Sequence, residues 1–285
     1  MRIQITSAEI DRRQLTAAHL AQAVESVRQN GFVILGQVIP TPPLDLLFER
    51  MLTDLNTLLN ASDQVLPVQF VPGHLQQDAP PLAPYVFAEL VANPWVIQVT
   101  QTLLGAGVKN TYFSGNTNLP GSGAQPVHTD GQQLWVDQPA AHPAAALIIN
   151  VAPLQVSPEN GSIELWPGSH QEMVITPDST SIKVPAADLA RREKVSAPIR
   201  GNTEKGDVLI RSDRLWHRGM PNYSNLPWPM ITMIHRTGWH NSGDKFKKFE
   251  SGGESAFVHP LLDADVLWLS PSITSSVIGH MTICY

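Results

Sequence analysis

A mainly β fold with a helical N-terminal part is what this sequence predicts. Three observations carry that expectation. The 285 residues hold 24 prolines and 19 glycines, punctuation that suits many short strands joined by turns rather than long helices. Up to about residue 104 the apolar residues recur at helical spacing. From residue 107 onward the texture changes to short apolar or alternating runs bounded by turn residues.

In chain order, Leu15, Leu20, Ala23 and Val27 predict a helix over 13–30, ended by Asn30-Gly31, and Phe32-Val33-Ile34-Leu35 then reads as a buried strand. Thr41-Pro42-Pro43 opens a second helix, with proline in its first turn and a core-facing leucine stripe from Leu44 to Leu58. Residues 61–84 read as loop. A third helix is expected over about 86–104, stopping at Gly105. Strands are expected at Val108–Gly115, Gln125–Asp130, Ala144–Val151, Ser162–Leu165, Asp207–Ile210 and Met230–Arg236. The apolar run Ala144–Val151 fits a strand buried on both faces. Asn160-Gly161 predicts a hairpin turn, and a short helix is expected near 186–193.

The formal charge is −6, with only 15% of residues charged, which argues against nucleic acid or an anionic membrane as the main partner. Cys284 is the single cysteine, so no internal disulfide is possible and a reducing, cytoplasmic setting is expected. The N-terminal residues lack the apolar core of a signal peptide, and no stretch approaches the ~20 apolar residues of a membrane helix.

Chemistry enters at Pro126-Val127-His128-Thr129-Asp130-Gly131. A histidine and an aspartate two residues apart on an extended chain point to one face. That pair can take a divalent metal from one side. If His217 joins them, the set becomes a 2-His-1-carboxylate facial triad with open coordination positions, the type found in non-haem Fe(II) oxygenases. For His217 alone, a buried histidine satisfied by hydrogen bonds is the competing reading.

The order of motifs resembles the phytanoyl-CoA dioxygenase superfamily of Fe(II)/2-oxoglutarate oxygenases. The matching pieces run from Asn30-Gly31-Phe32-Val33-Ile34-Leu35 through His128-Thr129-Asp130-Gly131 to Glu159-Asn160-Gly161-Ser162 with Trp166-Pro167-Gly168-Ser169-His170. They continue in Gly206-Asp207-Val208-Leu209-Ile210 and Trp216-His217-Arg218-Gly219, with Asn222 behind. The resemblance implies a double-stranded β-helix, a jelly-roll or cupin-like barrel with helices packed outside it. Residues 1–285 are then expected to form a single domain, with 1–106 as N-terminal helical support, 107–240 as the β-helix barrel core and 241–285 as a C-terminal extension.

The same resemblance implies that His128, Asp130 and His217 ligate Fe(II), with 2-oxoglutarate and O₂ as co-substrates. With Asp130 present, halogenation is not expected, because related halogenases carry Gly or Ala there. His170 and the Asn160-Gly161 turn are read as structural. The family places an arginine eleven residues after the distal histidine, to clamp the far carboxylate of 2-oxoglutarate. Trp228 stands there in this chain, and Met230 stands where a hydroxyl residue is common. Replacement donors are Thr232, the Trp228 indole or a cation from Arg211, Arg214 and Arg218, with Arg236 further off. Asn116, Asn118 and Gln125 are expected along the co-substrate, and Gln132, Gln133 and Trp135 along the substrate.

The expected function is hydroxylation, or another oxidation, of a small metabolite or natural product, releasing succinate and CO₂. The alternatives are a metal-binding jelly-roll module without oxygenase activity, and an oxygenase that uses a different 2-oxoacid.

Overall fold

In β5 (Ala146–Val151, all six residues buried) successive side chains enter two different environments. Leu147, Ile149 and Val151 join one large apolar core with residues of the N-terminal helices. The alternate residues Ala146, Ile148 and Asn150 face the opposite way. The same division runs through the neighbouring strands, and it sets the layering of the computed structural model, in which residues 1–60, 71–135, 138–173, 182–240, 247–264 and 266–271 are described.

The elements are β1 (Arg2–Gln4), α1 (Ser7–Arg12), α2 (Ala17–Asn30), β2 (Phe32–Gly36), α3 (Thr41–Asn60), β3 (His74–Gln76), α4 (Ala88–Val91), α5 (Pro94–Leu104), β4 (Lys109–Asn118) and β5. They continue with β6 (Glu164–Leu165), α6 (Ala186–Glu193), β7 (Ile199–Arg200), β8 (Val208–Ser212), β9 (His217–Arg218), β10 (Trp228–Arg236), β11 (Lys247–Glu250), β12 (Asp263–Ala264) and β13 (Val266–Leu269). The main sheet runs β1-β2-β8-β5-β10-β4-β12, with β3 also on β4, and a second sheet runs β7-β6-β9.

One face of the main sheet packs on the helices. Val33, Leu35, Leu147, Ile149, Val208, Ile210, Ile231 and Met233 share a core with Leu44, Leu47, Met51, Val96, Ile97 and Val99. On the other face Phe32, Ile34 and Leu209 meet Leu165 and Leu215 from the side of the second sheet. The two sheets thus face each other, as expected for a jelly roll.

Several sequence expectations need correction. The helix read over 13–30 begins at Ala17, where Thr16 accepts from the His19 N–H as N-cap, and a separate short helix, α1, precedes it. The helix read over 86–104 is two helices: Asn93 caps α5 and Pro94 occupies its first turn, which ends α4 at Val91. The N-terminal part is not only helical support, since β1 and β2 extend the main sheet and β3 lies on β4.

The Asn160-Gly161 turn does not join paired strands, because β5 pairs with β8 and β10 while β6 pairs with β7 and β9. It carries the chain from one sheet to the other. Gly161 sits at φ +91°, where a Cβ would lie 2.5 Å from Asn118 Nδ2 and 2.6 Å from the Met220 carbonyl. The Gln125–Asp130 segment is extended but is not a regular strand. It is held by bridges from His128 to His217 and to Lys183. The short helix near 186–193 falls on α6. Cys284, residues 61–70 and, in the C-terminal extension, residues 241–246, 265 and 272–285 lie outside the described residues.

Two buried histidines give the fold a pH dependence. His235, on the helix-facing side of β10, shares a 3.0 Å hydrogen bond between its Nδ1 and Thr100 Oγ1 on α5. Burial, with Lys247 nearby, pushes it down to about 3. His170 donates from Nε2 to the Arg28 carbonyl at 3.0 Å, and burial pushes it down to about 4. Both therefore stay neutral in the folded protein while the unfolded chain protonates near 6.5. As pH falls from 6.5 toward 4, the unfolded state gains protons that the folded state does not, and stability is lost. We expect the unfolding free energy of metal-free protein, read from urea melts, to fall across that window, by up to about 1.4 kcal/mol per pH unit for each histidine. Flat midpoints between pH 6.5 and 4.5 contradict this.

Candidate metal centre

His128 and His217 are brought together by the backbone before their side chains do anything. The His128 N–H donates to the His217 carbonyl at 2.9 Å, and the His217 N–H donates back at 3.0 Å. Each ring is then fixed by a bond of its own. His128 Nδ1 donates to the Pro126 carbonyl at 2.9 Å, and His217 Nδ1 donates to the Leu215 carbonyl at 2.8 Å. A carbonyl only accepts, so both protons sit on Nδ1 and each Nε2 carries the ring's lone pair, the usual outer support of ligating histidines.

Asp130 completes the group. Its Oδ2 lies 3.6 Å from His217 Nε2, and one ligand atom from each of the three residues falls within 4.8 Å of the others. Two backbone bonds shape the loop: the Asp130 and Gly131 N–H groups both donate to the Asp213 carbonyl at 2.9 Å. A Cβ at position 131 would collide with the Asp213 carboxylate, which accounts for the glycine after the aspartate.

Protonation suits metal binding. Burial, helped by Arg211, drives His217 well below the ordinary histidine range, and burial also lowers His128. Burial alone would raise Asp130, but Arg211 and the two histidines outweigh it and hold the carboxylate below its ordinary value. At neutral pH the set is two neutral imidazoles and one carboxylate. That donor set fits a divalent first-row metal with open positions.

Arg211 is the residue the metal set leans on. From β8, its Nη2 donates to Asp130 Oδ2 at 2.6 Å and its Nε to Asn150 Oδ1 at 3.0 Å. Asn150 Nδ2 passes the chain on to Thr232 Oγ1 at 3.0 Å. Thr232 is in register with Ser114, whose hydroxyl accepts from Gln76 Nε2 at 2.5 Å and donates to Asp78. A polar row therefore crosses the inner face of the main sheet from β8 to β3. Burial raises Asp78 above the ordinary carboxylate range.

Two of the other candidate arginines, Arg218 and Arg214, have partners of their own. Arg218 pairs with Glu164 at 2.8 Å. Arg214 donates to Gln133 Oε1 and to the His142 carbonyl, both at 2.6 Å. Asn118 and Gln125 hold loops: Asn118 Nδ2 donates to the Met220 carbonyl at 3.0 Å, and Gln125 Oε1 accepts from the Gly219 N–H at 2.8 Å. Asn116 is half-buried and is in register with Met230 and Gln76. Gln133 Nε2 also reaches the Glu172 carbonyl at 3.4 Å. Trp135 is exposed and stacks near Trp239, with ring centroids 6.4 Å apart. Gln132 lies on the same loop, directly after Gly131.

The sequence reading missed Asn150, Ser114, Gln76, Asp78 and Asp213. Asn150 left a signal, being the one polar residue in the apolar run Ala144–Val151.

The model of the family described as "Phytanoyl-CoA dioxygenase (PhyH)" matches residues 27–227. The chain belongs to that family. Its members are Fe(II)/2-oxoglutarate-dependent oxygenases, and the matched span contains the whole triad. Solved structures share the fold. AviO1 from Streptomyces viridochromogenes Tue57 has a TM-score of 0.56 at 19% identity, covering 80% of this chain and 100% of its own. EctD from S. alaskensis, in its apoform, has a TM-score of 0.55 at 18% identity, covering 78% and 77%. EvdMO1 has a TM-score of 0.55 at 20% identity and covers 79% of this chain; the match spans half, 50%, of EvdMO1. The PhyH fold here is the cupin-like jelly roll, and among the described residues no helix is long and apolar enough to cross a membrane.

Proposed function

We propose that this PhyH-family chain oxidises a small molecule at an iron held by His128, Asp130 and His217, with a 2-oxoacid as co-substrate. The observation that carries the reading is the pair of histidines whose Nδ1 protons are tied to backbone carbonyls, beside a carboxylate within ligand distance. A histidine kept only for packing needs no such matched arrangement. When bound, Fe(II) supplies O₂ activation coupled to decarboxylation of the 2-oxoacid, which for 2-oxoglutarate yields succinate and CO₂.

The chain's own residues prepare that chemistry. His128 and His217 present neutral nitrogens on one side. Asp130 supplies the negative charge, and Arg211 donates to its Oδ2, the oxygen that lies 3.6 Å from His217 Nε2. Asn150 and Thr232 extend the donor row along the wall where a co-substrate would lie. The loop after Asp130, with Gln132, Gln133 and Trp135, is the proposed substrate side. Exposed Trp135 and Trp239 offer apolar faces there, and an uncharged small molecule fits better than nucleic acid in a chain of net charge −6.

The test is direct. Iron-loaded protein incubated with 2-oxoglutarate in air is expected to form succinate, increasing when a true substrate is added. Absence of succinate, together with no binding of any 2-oxoacid to the metal-loaded protein, points instead to a metal-binding module.

A further inference from the structure

The inner face of β10 runs Thr232, Met230, Trp228, from the polar row toward the strand's beginning. At that end the surroundings change. Trp228 is buried and packs with Ala152 and Val156, with half-buried Leu154 and Met230 against them. Its cross-strand neighbour is Asn118, and beyond that His74. Asn118 is already committed to Met220, Ser122 and Asn222. His74 shares Nε2 with the Gly123 carbonyl at 2.8 Å, and burial lowers its pKa, so it is neutral near pH 7.

Among the described residues, none of the four candidate arginines is bonded at this end. Arg218 and Arg214 are paired as described, and Arg236 lies eight residues further along β10, about 26 Å away at strand spacing. Arg211 stands on the other side of Asn150 and Thr232.

Among the described residues, the buried donors that lack a hydrogen-bond partner include two that differ in kind. One is Nη1 of Arg211, a cation beside the triad; the other is the Trp228 indole N–H. Each is more than nine-tenths buried as a residue, Arg211 being 3% and Trp228 6% exposed. A buried donor without an acceptor is costly, and a buried carboxylate without a cation is costlier still. The charged donor therefore asks for an anion and the indole for a neutral acceptor.

We propose that the co-substrate pocket is built for a 2-oxoacid whose carboxylate end lies toward Arg211 and whose far end is an uncharged hydrogen-bond acceptor, such as an amide or ester. This deepens the function proposed above and rests on it. Such a site does not reward the second carboxylate of 2-oxoglutarate.

The experiment is anaerobic calorimetric titration of Fe(II)-loaded protein with 2-oxoglutarate, its 5-methyl ester and 2-oxobutyrate. The ester keeps the acceptor and loses only the far charge; 2-oxobutyrate has neither. The ester is expected to bind at least as tightly as 2-oxoglutarate. Trp228→Phe should weaken the ester about five- to tenfold, the loss of one neutral hydrogen bond, and leave 2-oxobutyrate unchanged. Trp228→Arg should turn the preference toward 2-oxoglutarate by roughly tenfold or more. Tighter binding of 2-oxoglutarate than of the ester by the unaltered protein overturns the proposal while leaving the co-substrate reading intact. Failure of all three acids to bind protein that still holds iron overturns both.

Discussion

The His217→Ala protein is expected to lose its metal. Three ligand atoms within 4.8 Å define the site, and removing one leaves an imidazole and a carboxylate that cannot enclose a face of the coordination sphere. Loss of a supporting group around a metal typically weakens affinity 10–100-fold; loss of a ligand itself is expected to exceed about 100-fold. The fold should survive, because the paired backbone bonds between residues 128 and 217 do not involve the side chain. Leu215 loses one hydrogen-bond donor to its carbonyl, worth about 1 kcal/mol. Elemental analysis after dialysis should thus give near one iron per chain for the unaltered protein and almost none for the variant, with similar circular dichroism. Equal metal content would remove His217 from the site.

What the sequence made legible, and what it did not, follows from the range of each interaction. The pairing of His128 with Asp130 is local: spacing alone puts both side chains on one side of an extended chain. His217 is 89 residues from His128 and became legible only through the ordered motifs around it. Asn93-Pro94 carried a helix-start signal of the kind read correctly at Thr41-Pro42. There the apolar spacing over 86–104 masked it, because the residues of α4 and α5 bury against the same core.

The three-residue strands β1 and β3 are too short to show alternation, and main-chain pairing with longer neighbours makes them strands. Arg211 was legible as a cation near the site but not as the partner of Asp130. That contact depends on β8 lying beside β5 and on the side chain reaching across Asn150, which no local pattern encodes. The pairing of β2 with β8 and of β5 with β10 is likewise long-range, and hydrophobic strands of equal texture offer no preference among partners.

Arg211→Met should show that the guanidinium positions the carboxylate ligand rather than merely filling space. Methionine keeps much of the volume and removes three things: the 2.6 Å bond to Asp130, the 3.0 Å bond to Asn150 and the positive charge. In metal-free protein this leaves Asp130 facing two neutral imidazoles with no cation. Breaking a fully buried pair typically costs ~3–5 kcal/mol. Here 32% of the Asp130 side chain is accessible, so screening reduces the expected loss to about 1–2 kcal/mol. A bound divalent ion supplies the missing charge, so the stability deficit should shrink when metal is added.

Metal affinity itself should fall about 10–100-fold, as for other outer supports of a ligand, because Asp130 is no longer oriented. Arg211→Lys separates the two contributions. It keeps the charge but lacks the planar fork that spans Asp130 and Asn150 together, so it should restore apo stability better than metal affinity. Thermal melts with and without Fe(II), alongside competitive metal titration, read both quantities. If Arg211→Met matches the unaltered protein in metal affinity, Asp130 is held by its backbone alone and the guanidinium has no part in arranging the centre.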